Sequence, residues 1–222
     1  MIPVALAAEP ASFKAHVRER GADAIQRLLG KPVKAKGRKP KTTYARPQDI
    51  PGDAFPTCWT DVRKQDKKST LDDMMDAYGQ LCAYLGMRLE RATGSPTVDH
   101  FVPKDRDWKL VYEWSNYRLA ASCVNGAKGT RDVVDPFKVK PGWIELDLAT
   151  FLVRRGKAAP ASEHARIDAT LEILNLRQCV AQRGEYITAY LAGDIELRNV
   201  ERYAPFVAGE LRRQGELVRG DR

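Results

Sequence analysis

Apolar positions along the chain fall first at helical spacing, then alternate, then return to helical spacing. Phe13, Val17, Ile25, Leu28 and Leu29 make one stripe between Pro10 and Gly30, interrupted by Gly21, and predict a helix. Leu71, Met74, Met75, Tyr78, Leu81, Cys82 and Leu85 make a second apolar face, and Thr70 with Asp73 three residues on resembles a capping box. The two methionines on that face read as core filler. TVDHFV, residues 97–102, then alternates as a strand that Pro103 ends. NYRLAAS, residues 116–122, predicts a second strand, and the Gly-rich CVNGAKG, residues 123–129, a turn or a short helix start. WIELDLATFLV, residues 143–153, reads as one bent strand or a short hairpin. Beyond Pro160 three helices are predicted, on Ile167, Leu171 and Leu174, on Tyr186, Ile187, Tyr190 and Leu191, and on Val200, Phe206, Val207 and Leu211. The class is α+β, a small mixed centre flanked by helices. The predicted division is an N-terminal helical segment (1–30), a basic Pro-rich arm and loop (31–68), a core with its preceding helix (69–155) and a C-terminal helical region (156–222).

Composition narrows the class. The 222 residues are 43% hydrophobic and 30% charged, which excludes a chain disordered throughout. No stretch reaches the roughly 18 to 20 apolar residues that span a bilayer, and the opening MIPVALAAEP lacks a basic n-region and a long apolar h-region. A cytoplasmic protein without a membrane partner is expected. Four cysteines, Cys58, Cys82, Cys123 and Cys179, are widely spaced and form no C-x-x-C pair, which suits reduced thiols and makes a closed structural zinc site unexpected.

The net charge of +8 is concentrated. Lys31, Lys34, Lys36, Arg38, Lys39, Lys41 and Arg46 stand together without an acidic residue, and the rest of the chain carries 30 basic against 29 acidic side chains. With Pro32, Gly37, Pro40 and Pro47 interspersed, this run reads as an extended arm suited to electrostatic, sequence-independent phosphate contact. The same composition equally describes a solvated linker.

The centre holds the informative polar cluster. Asp99 and His100 are adjacent at a strand end, fifteen residues precede Asn116, eight more precede Asn125, and Lys128 follows three on. Each type suits phosphodiester hydrolysis. Neutral imidazole can take a proton from water near pH 7. Asp99 and Asn125 offer hard oxygen ligands for Mg²⁺, and the ion would neutralise charge developing in the transition state. Adjacent strand residues face opposite sides, so Asp99 and His100 serve one site only if the strand frays or bulges there.

VDHFVPK followed by YEWSNYRLAASCVNGAKG resembles the HNH endonucleases, whose core is a ββα-metal motif. With DPF at residues 135–137 and GW at 142–143, the string resembles more narrowly the HNH proteins of Septu- and retron-type bacterial anti-phage systems. The similarity covers roughly residues 80 to 150. It implies His100 as general base, Asn116 as the residue that orients it, and Asp99 and Asn125 as metal ligands, the metal being Mg²⁺ or Mn²⁺; by charge, Lys104 and Lys128 are expected as substrate contacts and the arm residues Lys34, Lys36, Arg38, Lys39 and Lys41 as non-specific grip on DNA. It also implies an ATPase or other defence component as partner. Relatives commonly carry a C-A-Y-C type pair that helps to bind a structural zinc. Here CAYLG puts Leu85 in the partner position of Cys82, so apolar packing of Tyr84, Leu85 and Trp114 is expected instead.

Competing readings attach to several of these residues. A D-H dipeptide alone is more often a turn or surface pair, and His16 and His164 read as surface or helix-packing residues. Cys123 reads as a small buried hydrophobe rather than a nucleophile. Trp108, Trp114 and Tyr117 are more often core than base-stacking platforms, while Arg154 and Arg155 are equally a phosphate contact or a solvated face. At the level of the whole protein, the alternative to an endonuclease is a non-catalytic nucleic-acid-binding or partner module on an HNH scaffold.

Overall fold

A computed structural model describes residues 1–33, 39–218, 220 and 221. The chain divides into two compact units. The N-terminal unit comprises Ala7–Tyr78 and Val98–Leu119, and the C-terminal unit Met1–Leu6, Gly79–Thr97 and Ala120–Arg222. The class is α+β, helices with small antiparallel sheets.

In the N-terminal unit the first predicted helix forms as a π-helical turn, Lys14–Glu19, running into α1, Arg20–Leu28. Gly21 is required by packing: a Cβ there would meet ring carbons of Tyr112 at 2.2 Å. Its absence brings the helix backbone against that ring. α2, Thr70–Ala77, starts with a capping box one residue earlier than the sequence suggests. Ser69 Oγ accepts from Asp72 N–H at 3.2 Å, and the Asp72 carboxylate accepts from Ser69 N–H at 2.8 Å. Asp73 pairs instead with Arg63 at 2.6 Å. The apolar face that predicts a helix to Leu85 misleads, because α2 stops at Ala77 and Gly79 and Gln80 take φ of +57° and +62°, which no helix propagates through. An aromatic cluster forms the core. Phe13 meets Trp114 at 5.5 Å and Tyr117 at 5.6 Å between centroids, both edge-on, and such pairs add about 0.5–1.5 kcal/mol beyond their buried area.

β1, Pro96–His100, pairs with β2, Tyr117–Ala121, and α3, Ser122–Lys128, follows directly. The bonds Phe101 N–H to Asn116 O (2.9 Å) and Ser122 N–H to Ser95 O (3.1 Å) make the pairing antiparallel. CVNGAKG is thus helix, ended by Gly129 at φ +49°.

In the C-terminal unit β3, Ile144–Leu146, and β4, Val153–Arg155, form an antiparallel hairpin with Leu146 opposite Val153, so the hairpin reading holds over the bent strand. α4, His164–Leu174, and α5, Arg177–Ala192, follow. The last predicted helix is two, α6, Leu197–Tyr203, and α7, Pro205–Gln214. Pro205 disfavours helical geometry at the residue before it, and Ala204 sits at φ −143°, ψ 60°. Among the described residues no helix is long and apolar enough to cross a membrane.

Side chains tie this hairpin to the helices. Asn175, the residue after α4, accepts from Val153 N–H at 2.8 Å and donates to Val153 O at 2.9 Å. Glu210 on α7 accepts from Leu146 N–H, and Gln214 donates to Leu146 O, both at 2.8 Å. Arg183, 1% exposed, donates to Phe151 O, Leu174 O and Asn175 Oδ1. Burial pulls its pKa down to about 10, with the nearby Cys179 opposing.

Candidate active site

The Phe101–Asn116 segment connects β1 to β2 and is organised by one side chain. Asn116 Oδ1 accepts from Val102 N–H at 2.8 Å, while its Nδ2 donates to Val102 O at 3.1 Å and Leu110 O at 3.2 Å. The amide therefore replaces the next rung of the β ladder beyond Phe101 and reaches across to the far limb of the loop. At 4% exposure it is a structural clamp. The Phe101 N–H to Asn116 O bond carries the ladder one residue past His100.

Next to Leu110 lies Val111, whose carbonyl holds the predicted base. His100 Nε2 is 2.9 Å from Val111 O, and the Tyr117 hydroxyl donates to the same oxygen at 2.9 Å. A carbonyl only accepts, so Nε2 carries the proton and Nδ1 is the basic nitrogen of the neutral ring. The ring is gripped edge-on by Trp59 at 4.5 Å and Tyr117 at 4.9 Å between centroids. Burial of Tyr117 pushes its phenol far above the ordinary range, which keeps it a neutral donor. Lys104 Nζ lies 5.6 Å from the centre of the Trp59 ring, a cation–π contact. Burial lowers its pKa, against the raising effect of Asp105 and Asp53.

Asn125 and Lys128 lie on α3 in the C-terminal unit, whereas Asp99, His100, Lys104 and Asn116 belong to the N-terminal unit. The Asn125 amide is oriented by a relay. Thr97 Oγ1 donates its one proton to Ala120 O at 3.0 Å and so must accept from Asn125 Nδ2 at 3.2 Å. The relay therefore fixes the amide's orientation, with the nitrogen of Asn125 toward Thr97. Asp99 and Lys128 are buried, at 2% and 1% exposure. Among the described residues no group of three or more His, Cys, Asp or Glu is arranged to hold a metal ion.

Within the N-terminal unit the structure thus joins His100, Asn116 and Lys104 through Val111 and Trp59. Sequence reasoning missed both connectors. Val111 acts through its carbonyl, which every residue possesses, and Trp59 lies far upstream in a Pro-rich stretch that reads as loop. Tyr117, weighed as a base stacker, is fully buried and serves as a donor. Lys39 and Lys41 are exposed, and Lys34, Lys36 and Arg38 lie outside the described residues. His16 and His164 each approach a backbone oxygen, Asp61 O and Ala159 O. Arg155 pairs with Asp168 at 2.7 Å and Arg154 with Glu145 at 3.7 Å. Tyr84, Leu85 and Trp114 are all buried.

No family model matches the chain, and no solved structure matches it. A stretch of 59 residues, 27% of the chain, is 34% identical to the Septu protein PtuB of Bacillus thuringiensis and spans 23% of that protein.

Proposed function

We propose that this chain is a metal-dependent endonuclease that hydrolyses DNA phosphodiester bonds, as an effector of anti-phage defence. The observation that carries the reading is the His100 arrangement: a nearly buried imidazole whose Nε2–H is fixed by Val111 O, in a loop fastened by Asn116. A carbonyl partner requires the proton on Nε2 without adding charge, so in the neutral ring Nδ1 is the nitrogen that would take a proton from water. Asn116 would act as a positioning residue through the loop. The order β1, β2, α3 with Asn125 on the helix agrees with the ββα arrangement that the motif implies. By donor chemistry Asp99 and Asn125 offer hard oxygens suited to Mg²⁺ or Mn²⁺, and the Thr97 relay fixes the Asn125 amide with its nitrogen toward Thr97. When bound, the ion would supply Lewis-acid stabilisation of the charge developing on the phosphate. Lys104 would contact the substrate, a role that the burial of Lys128 does not favour for that residue, and the Lys31–Arg46 arm would add non-specific grip. Similarity to the Septu protein over part of its length supports the defence role, in which an ATPase or other defence-system component would be the partner.

The test is plasmid cleavage by the purified chain with Mg²⁺ or Mn²⁺ beside His100→Ala. Loss of a general base is expected to slow cleavage by about 100-fold or more, and equal cleavage by the two proteins sinks the reading. DNA retention without cleavage by the parent would favour the non-catalytic scaffold. Deleting residues 31–46 is expected to weaken DNA affinity and flatten its salt dependence while leaving turnover at saturating DNA intact; a dead enzyme would show that the arm does more than grip.

A further inference from the structure

The C-terminal unit contains a cavity of about 370 Å³ whose lining includes Cys123, Cys179, Arg88, Gln178, Gln182 and Tyr186. Two thiols from different helices meet there. Cys123 lies in the first turn of α3 and is partly exposed, while Cys179 lies in the first turn of α5 and is buried. Both side chains line the same cavity, close enough for Cys123 to act on the Cys179 thiol, and all four cysteines of the chain are free. Cys82, also buried, has its sulfur facing the Leu85 N–H at 3.5 Å.

We propose that Cys123 and Cys179 form a peroxide-reactive dithiol site, Cys123 being the thiol that reacts first through the cavity and Cys179 the one that resolves it into an intramolecular disulfide. The Cys123 thiolate attacks the terminal oxygen of a hydroperoxide. An S–O bond forms, the O–O bond breaks, and the departing oxygen takes a proton and leaves as water or alcohol. The Cys179 thiolate then attacks the sulfenic sulfur, forming S–S and expelling the hydroxyl as water. Two electrons pass from the thiols to the peroxide. The assignment of roles follows from access: Cys123 is partly exposed in the cavity wall, whereas Cys179 is buried, and burial pushes its thiol up. The bond would tie the first turn of α3, the helix that carries Asn125 and Lys128, to the first turn of α5.

The proposal is independent of the nuclease reading and is tested on the full chain with hydrogen peroxide. Thiols counted after denaturation should fall from four to two. Tryptic digestion should join the peptide 119–128 to the peptide 178–183, and a dithiol reductant should separate them. Cys179→Ala should instead accumulate a sulfenic acid on Cys123 that a dimedone-type probe labels, and Cys123→Ser should lose both the link and the label. Four surviving thiols, a link through Cys82, links between chains, or Cys123 carried to sulfinic acid in the parent with Cys179 untouched would each overturn it. Should Cys179→Ala fail to fold, the Cys123→Ser variant, changed at a partly exposed position, decides the question through the peptide map.

Discussion

Asn116 in the N-terminal unit and Asn175 in the C-terminal unit make the same pair of bonds, each amide taking both the N–H and the C=O of one valine, Val102 and Val153 respectively. Each mimics a strand's edge with a side chain. They differ in the third partner. Asn116 donates onward to Leu110 O, beside the carbonyl that holds His100, while Asn175 accepts from Arg183, a cation whose other bonds go to helix and hairpin carbonyls. An asparagine clasp is therefore a fastening device, and what it does for function depends on what the fastened loop presents. In the C-terminal unit it presents a hairpin, and in the N-terminal unit an imidazole of defined tautomer.

The sharpest way to break that comparison is Asn116→Ala beside Asn175→Ala. Each strands buried backbone groups and should cost about 2–4 kcal/mol, read by thermal or denaturant unfolding. Only Asn116→Ala should also cut plasmid cleavage, by about 10- to 100-fold when assayed well below its melting point, because the Val111 carbonyl drifts from the base. Equal retention of cleavage, or equal loss, would remove the distinction.

Glycine contacts probe the rigidity of the two frames without touching the clasps. Gly21→Ala sets a methyl against the Tyr112 ring at 2.2 Å, and Gly184→Ala sets one 2.7 Å from the Phe151 ring. Overpacking of this kind costs about 1–3 kcal/mol, and Gly21→Ala should be the worse of the two in a chemical denaturation series. The reverse order would mean that the aromatic cluster around Tyr112 yields more easily than the hairpin turn.

The smallest effect concerns charge. Glu210 and Gln214 together clasp Leu146 as a single asparagine clasps its valine, but with a carboxylate. Burial pushes the Glu210 carboxyl up, yet hydrogen bonds from Arg213 and Leu146 N–H outweigh it and hold the pKa below the ordinary 4.5. A depressed folded-state value means that this stability is present above about pH 4.5 and is lost as pH falls through the folded value. Glu210→Gln should therefore be less stable than the parent at pH 7, by about 1 kcal/mol, and the gap should close as the pH falls below 4. A gap that persists in acid would assign the contribution to shape rather than charge.

The elements around the candidate site were largely legible. TVDHFV and NYRLAAS became β1 and β2, the first because β-prone residues alternate there and Pro103 follows closely on its end. Distinguishing helix from turn in CVNGAKG was beyond a seven-residue window, because two glycines and an asparagine suit either. The end of α2 was hidden for a different reason. The apolar spacing from Leu71 to Leu85 is genuine, but two left-handed residues at 79–80 redirect the chain, and one of them is a glutamine that gives no warning. Asp99, His100, Asn116 and Asn125 stood out by residue type. Val111, Trp59 and Thr97 did not, since a carbonyl carries no sequence signature and the other two act through contacts that only folding creates.

The Asn116 clasp also has a kinetic meaning. Because Phe101 and Val102 bond respectively to the backbone and the side chain of one residue, neither amide can be released alone without straining the other. The sixteen-residue excursion from Phe101 to Asn116 should then open as one event rather than fray, with the amides of Phe101 and Val102 exchanging with deuterium at a shared rate set by a single opening free energy. The imidazole beside it would keep its orientation for as long as that one latch stays shut.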